Sequence, residues 1–339
     1  MNTRNSTALA TGRENVILTG AAGFIGANLA EDLVKRYNVV AIDNFITGDE
    51  KNIDNLLQLP NFEFIRHDIA EPFDLTGYPE LRKFQIDVQG ISKIFNLACP
   101  TAPKDHAKYA MEIIGANSVG VQNMLNMAVK YKATFIHASS QHIYGMPKDN
   151  NPIKEDYFGY VNSVGPRSAY DEGKRFAESV IGCYQRQFGV DAKIARIFTT
   201  YGPKMALHEG RSVPDFIINA INNEDLIVYG DENTQNTFCY IDDIVDGLVK
   251  LANSNISTPV NLGHYEKYSL KNAAELIIKM TESKSKIVYR NPEWYVASYN
   301  IPDITLAKET LGWFPLVGLG EGLERTIKFT KINLRLYQS

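Results

Sequence analysis

The chain has 339 residues, of which 44% are hydrophobic and 22% charged, so it can bury a large core in one domain or two. A net charge of -4, with no block of Lys and Arg, disfavours nucleic acid as a partner. The sequence contains neither a signal-peptide core nor a transmembrane run, which predicts a soluble, cytoplasmic protein without a membrane partner and with a flexible tail over residues 1–14.

The first apolar run, residues 16–19, leads into a glycine-rich turn and then a helical pattern from Ala27. This order of strand, turn and helix directs amide N–H groups and a helix N-terminus towards a pyrophosphate. A second strand pattern ends at Asp43, where a carboxylate accepts the ribose hydroxyls of NAD and repels the 2′-phosphate of NADP. We therefore predict NAD as the cofactor. The turn residues expected to contact it are Gly20, Gly23, Phe24, Ile25 and Gly26.

Further strand patterns at residues 62–65, 94–98 and 134–138 alternate with helical segments. This alternation predicts an α/β fold, a Rossmann-type doubly wound parallel sheet with right-handed crossovers. Ligands bind at the carboxyl ends of the strands in such a sheet, so the loops there complete the cofactor site. Its predicted residues are Asn44, Phe45, Thr47, Gly48, Asp68, Ile69, Leu97, Ala98, Asn117, Tyr170 and Lys174.

Tyr170 and Lys174 are spaced so that both side chains lie on one face of a helix. An ammonium beside a phenol stabilises the phenolate, which makes an acid/base that works near neutral pH. Apolar residues at helical spacing predict that residues 168–188 form this helix. The other Tyr-x-x-x-Lys of the chain, Tyr144 to Lys148, contains a proline and is predicted to be a turn.

Ser139 and Ser140 follow the strand pattern that ends at Ala138. One of their hydroxyls could hydrogen-bond a substrate hydroxyl that Tyr170 deprotonates, which completes a Ser/Tyr/Lys set. Two serines after a strand are also common in ordinary turns. Together with the glycine turn and Lys174, we predict that Ser139, Ser140, Tyr170 and Lys174 are catalytic.

Beyond about residue 202 the alternation loosens and prolines mark turns, which predicts a smaller, discontinuous α/β substrate domain. Asp242 and Asp243 are predicted to lie at a helix N-terminus as structural carboxylates. The cysteines are far apart and the histidines scattered, so neither a disulfide nor a metal site is predicted. The predicted boundaries are 15–202 plus about 236–263 for NAD binding, and about 203–235 plus 264–335 for the substrate.

The chain resembles the extended short-chain dehydrogenase/reductase family, the class of nucleotide-sugar epimerases, dehydratases and decarboxylases. Within it the likeness is greatest to the UDP-glucuronate decarboxylase subgroup, because residues 165–175 read Gly-Pro-Arg-Ser-Ala-Tyr-Asp-Glu-Gly-Lys-Arg. The other matching runs are residues 20–26, 43–48, 67–68, 195–198, 201–203, 210–211, 228–230, 261–263, 302–304 and 311–313.

The resemblance implies NAD-dependent chemistry at C4 of a nucleotide sugar, most often a UDP-sugar. Tyr170 removes the C4 hydroxyl proton while NAD takes the hydride, and in a glucuronate the new ketone is β to the carboxyl group, so CO₂ leaves before the hydride returns. A homodimer through the helices of residues 105–130 and 168–188 is also implied. The substrate residues it implies are Pro100, Thr101, Thr199, Lys204, Arg211, Tyr229 and Asn236.

The chain departs from the family on the substrate side. His142 stands where the decarboxylases carry Glu, and it could act as an acid or a base. Thr199 replaces an Asn, and Asn236 and Asn300 replace basic residues, so Lys204 or Arg211 would have to neutralise the diphosphate. Residues 78–90 form an insertion without a counterpart. Three functions therefore remain open besides decarboxylation: 4-epimerisation, a simple C4 oxidation or reduction, and NAD binding without catalysis.

Overall fold

Seven parallel strands form the central sheet in a computed structural model that describes residues 12–147, 149, 151–294, 296 and 300–337. The strands in chain order are β1 (Asn15–Thr19), β2 (Asn38–Asp43), β3 (Phe62–Arg66), β4 (Lys93–Asn96), β5 (Thr134–Ser140), β6 (Ala192–Ile197), β7 (Thr200–Tyr201), β8 (Leu226–Tyr229), β9 (Gln235–Asn236), β10 (Cys239–Tyr240), β11 (Val260–Leu262), β12 (Tyr268–Ser269) and β13 (Ile287–Arg290). The order across the sheet is β11-β6-β5-β4-β1-β2-β3.

The helices are α1 (Phe24–Leu33), α2 (Ile86–Gln89), α3 (Ala110–Gly115), α4 (Val121–Tyr131), α5 (Ser168–Phe188), α6 (Ser212–Ile221), α7 (Ile241–Ala252), α8 (Leu270–Thr281), α9 (Thr305–Leu311) and α10 (Leu319–Tyr337). A short π-helical segment, Ala116–Gly120, joins α3 to α4, and a 3-10 turn, Gln141–Tyr144, follows β5. No helix in the described part of the chain is long and apolar enough to cross a membrane.

Both faces of the sheet are covered, which is why its strands read as continuous apolar runs rather than alternating ones. Val16 and Leu18 of β1 pack in one apolar cluster with α1 and α7, whereas Ile17 packs in the opposite cluster with α4 and α5. The predicted doubly wound α/β fold is therefore confirmed. Its strand order places β1 and β4 at the centre, where the two halves of the sheet diverge and a ligand crevice forms.

The insertion at residues 78–90 folds against the amino ends of the strands. It forms a 3-10 helix, Pro79–Phe84, followed by α2, and Phe84 is buried in the apolar cluster that includes α4. The side-chain amide of Asn15, at the start of β1, donates to the carbonyls of Phe84 and Gly90 at 3.0 Å each. The insertion therefore braces the sheet at the edge opposite the ligand crevice.

The second half of the chain adds small sheets. Strand β8 pairs parallel with β13, β9 pairs antiparallel with β12, and β7 pairs with β10. Because β11 returns to the main sheet beside β6, the chain leaves that sheet and rejoins it. The division into an NAD-binding domain and a substrate domain, at the boundaries given above, stays a prediction. Of the predicted tail, residues 1–11 lie outside the described residues, and so does Lys148.

Asp243 ties the C-terminal region to α7. It lies in the first turn of that helix, where a carboxylate is favoured by the helix dipole, and it is 5% exposed. Its two carboxylate oxygens accept the backbone N–H groups of Leu316 at 3.0 Å and Val317 at 3.1 Å. Its carbonyl accepts the Trp313 indole N–H at 2.8 Å. This agrees with the structural role predicted for the carboxylate.

Replacing Asp243 should destabilise the fold far more than replacing its neighbour Asp242. In Asp243→Ala two backbone N–H groups lose a charged partner, so the free energy of unfolding should fall by about 2–4 kcal/mol. Asp242→Ala is the matched control, because its side chain is 61% exposed and pairs with Arg325, which is itself 47% exposed. Urea unfolding followed by circular dichroism measures both, and equal losses would contradict the assignment.

Candidate active site

A cavity of about 570 Å³ opens at the carboxyl ends of β1, β2, β4, β5 and β6. It brings together most of the residues predicted for the cofactor, the substrate and catalysis. Those that line it are Gly20, Gly23, Phe24, Ile25, Gly26, Asp43, Asn44, Thr47, Gly48, Asp68, Ile69, Leu97, Ala98, Pro100, Thr101, Ser139, Ser140, His142, Tyr170, Lys174, Thr199, Lys204, Arg211 and Asn236.

Three predicted residues are not among the described residues that line the cavity. Phe45 turns its ring towards Phe64, with the ring centroids 5.0 Å apart. Asn117 is buried and donates its amide to the Ile113 carbonyl at 2.8 Å and to the Cys99 thiol at 3.2 Å. Tyr229 is the last residue of β8. The first two support the walls of the site from behind.

The turn around Gly20 and Gly26 can close tightly because glycine has no side chain, and a Cβ at either position would overlap backbone atoms. Gly20 has φ +69°, and a Cβ there would lie 2.8 Å from the backbone nitrogen of Ala98. A Cβ on Gly26 would lie only 1.9 Å from the Gly20 carbonyl oxygen. Gly23 is the N-cap of α1, so the N–H groups of the first turn are left without a side-chain partner. They form a cradle for a phosphate.

Asp43 stands at the end of β2 with its carboxylate already oriented. Its oxygens accept the backbone N–H groups of Ala22 at 3.0 Å and Phe45 at 2.8 Å. Burial raises the pKa of Asp43, and these backbone hydrogen bonds oppose the rise. Gly48 passes so close that a Cβ there would lie 2.9 Å from a carboxylate oxygen. The remaining lone pairs of the carboxylate suit a ribose diol.

Asp68 stands next to Asp43 at the same edge of the sheet. Asn44 donates its amide to one oxygen of Asp68 at 3.0 Å, and the Ala70 backbone N–H donates to the other at 2.8 Å. Both loops are thereby fixed to each other at the end of the cavity beyond the glycine turn. The residues present therefore fit the adenosine half of a dinucleotide.

Tyr170, on α5, is the buried acid/base candidate, with 6% of its surface exposed. Burial raises the pKa of its phenol to about 12, the nearby Cys99 adds to the rise, and a hydrogen bond with Ser140 and the charge of Arg211 oppose it. The phenol is therefore protonated near neutral pH in the protein alone. It is placed to give or take a proton only when a bound charge compensates its desolvation.

Lys174 lies one helical turn beyond Tyr170 and is also buried. Its ammonium donates to the Ala138 carbonyl at 2.9 Å and stands 6.0 Å from the centre of the Tyr170 ring. Burial lowers the pKa of Lys174. Burial dominates the pKa of Tyr170 in the protein alone, and the stabilisation of its phenolate by Lys174 stays a prediction.

The two strand-end serines have different partners. Ser139 donates its hydroxyl to Glu178 at 2.5 Å, and Glu178 in turn pairs with Arg196, with an N–O distance of 2.8 Å. Ser140 accepts the His142 backbone N–H at 3.3 Å and shares the hydrogen bond with Tyr170. Although both line the cavity, Ser140 is the one joined to the acid/base candidate. Ser139 belongs to a structural ion pair.

Two imidazoles flank the Tyr170 ring. His142 meets it edge-on, with the centroids 5.9 Å apart at 69°. Burial, and then the charge of Arg167, hold the pKa of His142 well below its usual value, so the ring is neutral near pH 7. His106 stacks on the ring face with the centroids 4.7 Å apart at 15°. Sequence reasoning missed His106, because no spacing or motif connects it to Tyr170.

Arg167 and Arg211 carry positive charge to the part of the cavity around Tyr170. Arg167 pairs with Asp171 at 3.2 Å, while burial raises the pKa of Asp171 to about 6. Arg211 donates to both the carbonyl and the hydroxyl of Thr101, at 2.9 and 2.8 Å. Arg167 lies in the run that carries the family resemblance, and that run was the signal that could have identified it.

The substituted substrate positions hydrogen-bond to one another. Gln141 donates its amide to the Thr199 hydroxyl at 3.1 Å, and that hydroxyl donates to Asn236 at 3.2 Å. Asn300 donates to the Gln141 carbonyl at 3.2 Å. Lys204 pairs with Glu31 of α1 at 2.6 Å. This wall of the cavity is therefore polar but neutral, and Arg211 rather than Lys204 faces the reaction centre.

A glycine turn at a helix N-terminus, an acidic residue ending the next strand and a buried Ser/Tyr/Lys set together define a dinucleotide-dependent enzyme. The model of the NAD dependent epimerase/dehydratase family matches residues 16–263, and the chain belongs to this family. The resemblance found in the sequence and the prediction of NAD as cofactor are thereby confirmed.

The chain is similar to several characterised proteins. UDP-glucuronic acid decarboxylase 1 from Danio rerio is 39% identical over 318 residues, which cover 94% of this chain and 72% of that protein. UDP-glucuronic acid decarboxylase 1 from Arabidopsis thaliana is 38% identical over 316 residues, 93% of this chain and 69% of that protein. The structure of UDP-glucuronic acid 4-epimerase from Bacillus cereus, solved with UDP-glucuronic acid and NAD, is 27% identical with a TM-score of 0.82, and covers 94% of this chain and 99% of that one.

The tightness of the glycine turn predicts a specific loss of cofactor binding in Gly26→Ala. The added methyl must push the Gly20 carbonyl away and open the cradle, so the NAD dissociation constant should rise about 10-fold to 100-fold, equivalent to 1–3 kcal/mol of overpacking. Isothermal titration calorimetry measures it. Gly77→Ala is the control, since a Cβ there meets nothing within 4 Å and should leave NAD affinity unchanged. An unchanged constant in Gly26→Ala would contradict the cradle.

Proposed function

We propose that the protein decarboxylates UDP-glucuronate to UDP-xylose and regenerates its NAD in each cycle. The observation that carries the proposal is the position of Tyr170, which shares one cavity with the dinucleotide cradle and with Arg167 and Arg211. Two guanidinium groups at the reaction centre favour a substrate with negative charge there, and a sugar carboxylate supplies it. The identity to decarboxylases over nearly the whole chain supports the same substrate.

The phenolate of Tyr170, which forms once bound positive charge compensates its burial, begins the reaction by accepting the C4 hydroxyl proton. Ser140, which is hydrogen-bonded to Tyr170, orients that C4 hydroxyl. Lys174, fixed on the Ala138 carbonyl, keeps a positive charge beside the phenol. NAD, held by the glycine turn and Asp43, would supply the hydride acceptor and donor for C4 and the positive charge of a nicotinamide ring. Breaking the C5–C6 bond then releases CO₂, and the electron pair is held as an enolate on the C4 oxygen beside Tyr170. The enolate takes up a proton at C5 from solvent, and Tyr170 gives its proton back to the C4 oxygen when the hydride returns to C4.

A nucleotide-sugar 4-epimerase is the second candidate. His142 is held neutral by burial and by Arg167, so it offers no ready proton for C5. A 4-epimerase needs no proton at C5, because its 4-keto sugar only rotates to present the other face before the hydride returns to C4. The neutral wall formed by Gln141, Thr199 and Asn236 also suits a sugar bound by its hydroxyl groups. A C4 oxidoreductase acting on another nucleotide sugar would use the same first step.

We further propose a homodimer and a cytoplasmic location. Large apolar side chains stand exposed on α3, α5 and the π-helical segment that follows α3, among them Met111 at 73%, Val119 at 49% and Phe176 at 50%. Burial against a second copy would remove this surface from water. The three cysteines are all unpaired, which suits a reducing compartment.

Mass spectrometry of UDP-glucuronate incubated with the protein and NAD tests the proposal directly. The product should lack the mass of one CO₂, and Tyr170→Phe should lower the rate roughly 10²–10⁴-fold while NAD affinity is kept. Retained mass with a shifted retention time would establish the epimerase instead. Untouched nucleotide sugars with no NADH absorbance, despite full NAD binding, would show that the protein binds NAD without catalysis.

The two serines should respond differently to removal of their hydroxyls. Ser140→Ala removes the group bonded to Tyr170, so kcat should fall roughly 10²–10³-fold. Ser139→Ala should lower the free energy of unfolding by about 1.5–3 kcal/mol, because Glu178 loses a hydrogen bond, and leave kcat within tenfold of the wild-type value. Steady-state kinetics and urea unfolding of both variants measure this, and a reversed pattern would show that Ser139 is the catalytic serine.

A further inference from the structure

His106 holds an unusual position for a titratable side chain. It follows the short 3-10 turn Pro103–Asp105 in the loop after β4, and it is only 1% exposed. Its ring lies flat on the Tyr170 ring, with the centroids 4.7 Å apart and the planes at 15°. The Thr101 backbone lies close enough to act on the pKa of the ring, but no described residue gives either ring nitrogen a hydrogen bond of good geometry. The contact that this imidazole makes with the site is therefore its face.

The loop that carries His106 is anchored at several points. Arg211 donates to the carbonyl and hydroxyl of Thr101, which precedes His106 in the loop. Lys104 donates to the His208 carbonyl at 3.0 Å and pairs with Asp215 at 3.7 Å. These bonds join the loop to α6 and to the segment before it. The imidazole is therefore held against the phenol by structure on both sides of the cavity.

The stacked imidazole is neutral. Burial lowers the pKa of His106 to about 3, and the charges of Arg167 and Arg211 act in the same direction. A charged ring in this place would oppose the binding of further positive charge beside Tyr170. A neutral aromatic face instead restricts the rotation of the phenol without adding charge to the reaction centre.

We propose that His106 is a positioning residue for Tyr170: its ring face holds the phenol in the orientation from which the hydroxyl reaches both Ser140 and the substrate. His142 contacts the ring at its edge, so the phenol is confined from two directions. The proposal rests on the proposed function, in which Tyr170 transfers the C4 proton. Misplacing an acid/base by about 1 Å can cost 10²-fold in rate, so a confined ring matters for turnover.

Two variants separate the ring face from the ring nitrogens. His106→Ala removes both the ring face and the ring nitrogens. For the nucleotide sugar that the wild-type protein turns over, kcat should then fall roughly 10²-fold with KM nearly unchanged. His106→Phe keeps a face and removes the nitrogens, and it should restore kcat to within about tenfold of the wild-type value. NAD affinity, measured by calorimetry, should be the same in all three proteins and confirms that the variants fold.

Aromatic NMR of the protein without substrate gives a second readout that does not depend on the reaction. The Tyr170 ring signals, assigned by their loss in Tyr170→Phe, should be shifted by the stacked ring in the wild type and in His106→Phe, and lose that shift in His106→Ala. Equal loss of kcat in both variants, or an unchanged Tyr170 signal in His106→Ala, would overturn the proposal. If no nucleotide sugar is turned over, the proposed function fails, and the NMR result still decides the role of His106.

Discussion

A buried chain of polar side chains ties the three central strands together where the site begins. Thr19, the last residue of β1, donates to Asn96 at the end of β4 at 2.9 Å, and Asn96 contacts a ring nitrogen of His137 in β5 at 3.2 Å. The Thr19 hydroxyl also accepts the N–H groups of Leu97 and Ala98. These bonds fix the ends of the strands relative to one another, and the glycine turn, the loop after β4 and the strand-end serines all start from them. Because such groups are costly to leave unpaired away from water, the strand ends have little freedom to separate.

Desolvation decides the charge state of the reaction centre. Burial raises the pKa of Tyr170 and lowers those of Lys174 and His142, so each group is pushed towards its neutral form. Arg167 and Arg211 add positive charge to that of Lys174, and both guanidinium groups act on the two flanking imidazoles. The Tyr170 phenol is therefore in position to transfer a proton, but it ionises only after a bound positive charge lowers its pKa. Such a site suits the proposed reaction, in which water has to be kept away from the ketone intermediate.

Much of the fold followed from sequence pattern. The apolar runs ending at Thr19 and Asp43 are strands with both faces buried, and the predicted helix of residues 168–188 is present over the same range. These elements depend on short-range periodicity, which is legible in one dimension. The insertion at residues 78–90 could be recognised in the sequence, but its position against the start of β1 could not, because packing against the sheet depends on contacts distant in sequence.

For the site, the sequence by itself determined the chemical inventory: the glycine turn, Asp43, the helical pair of Tyr170 and Lys174, and through them the family. Only the tertiary structure decided how that inventory is used. It separated Ser140 from Ser139 by their partners and brought His106 onto the phenol from a loop that no motif marks. The physical reason is that hydrogen-bond direction, stacking and desolvation depend on which side chains meet in space, whereas spacing along a helix or strand specifies only which side chains share a face.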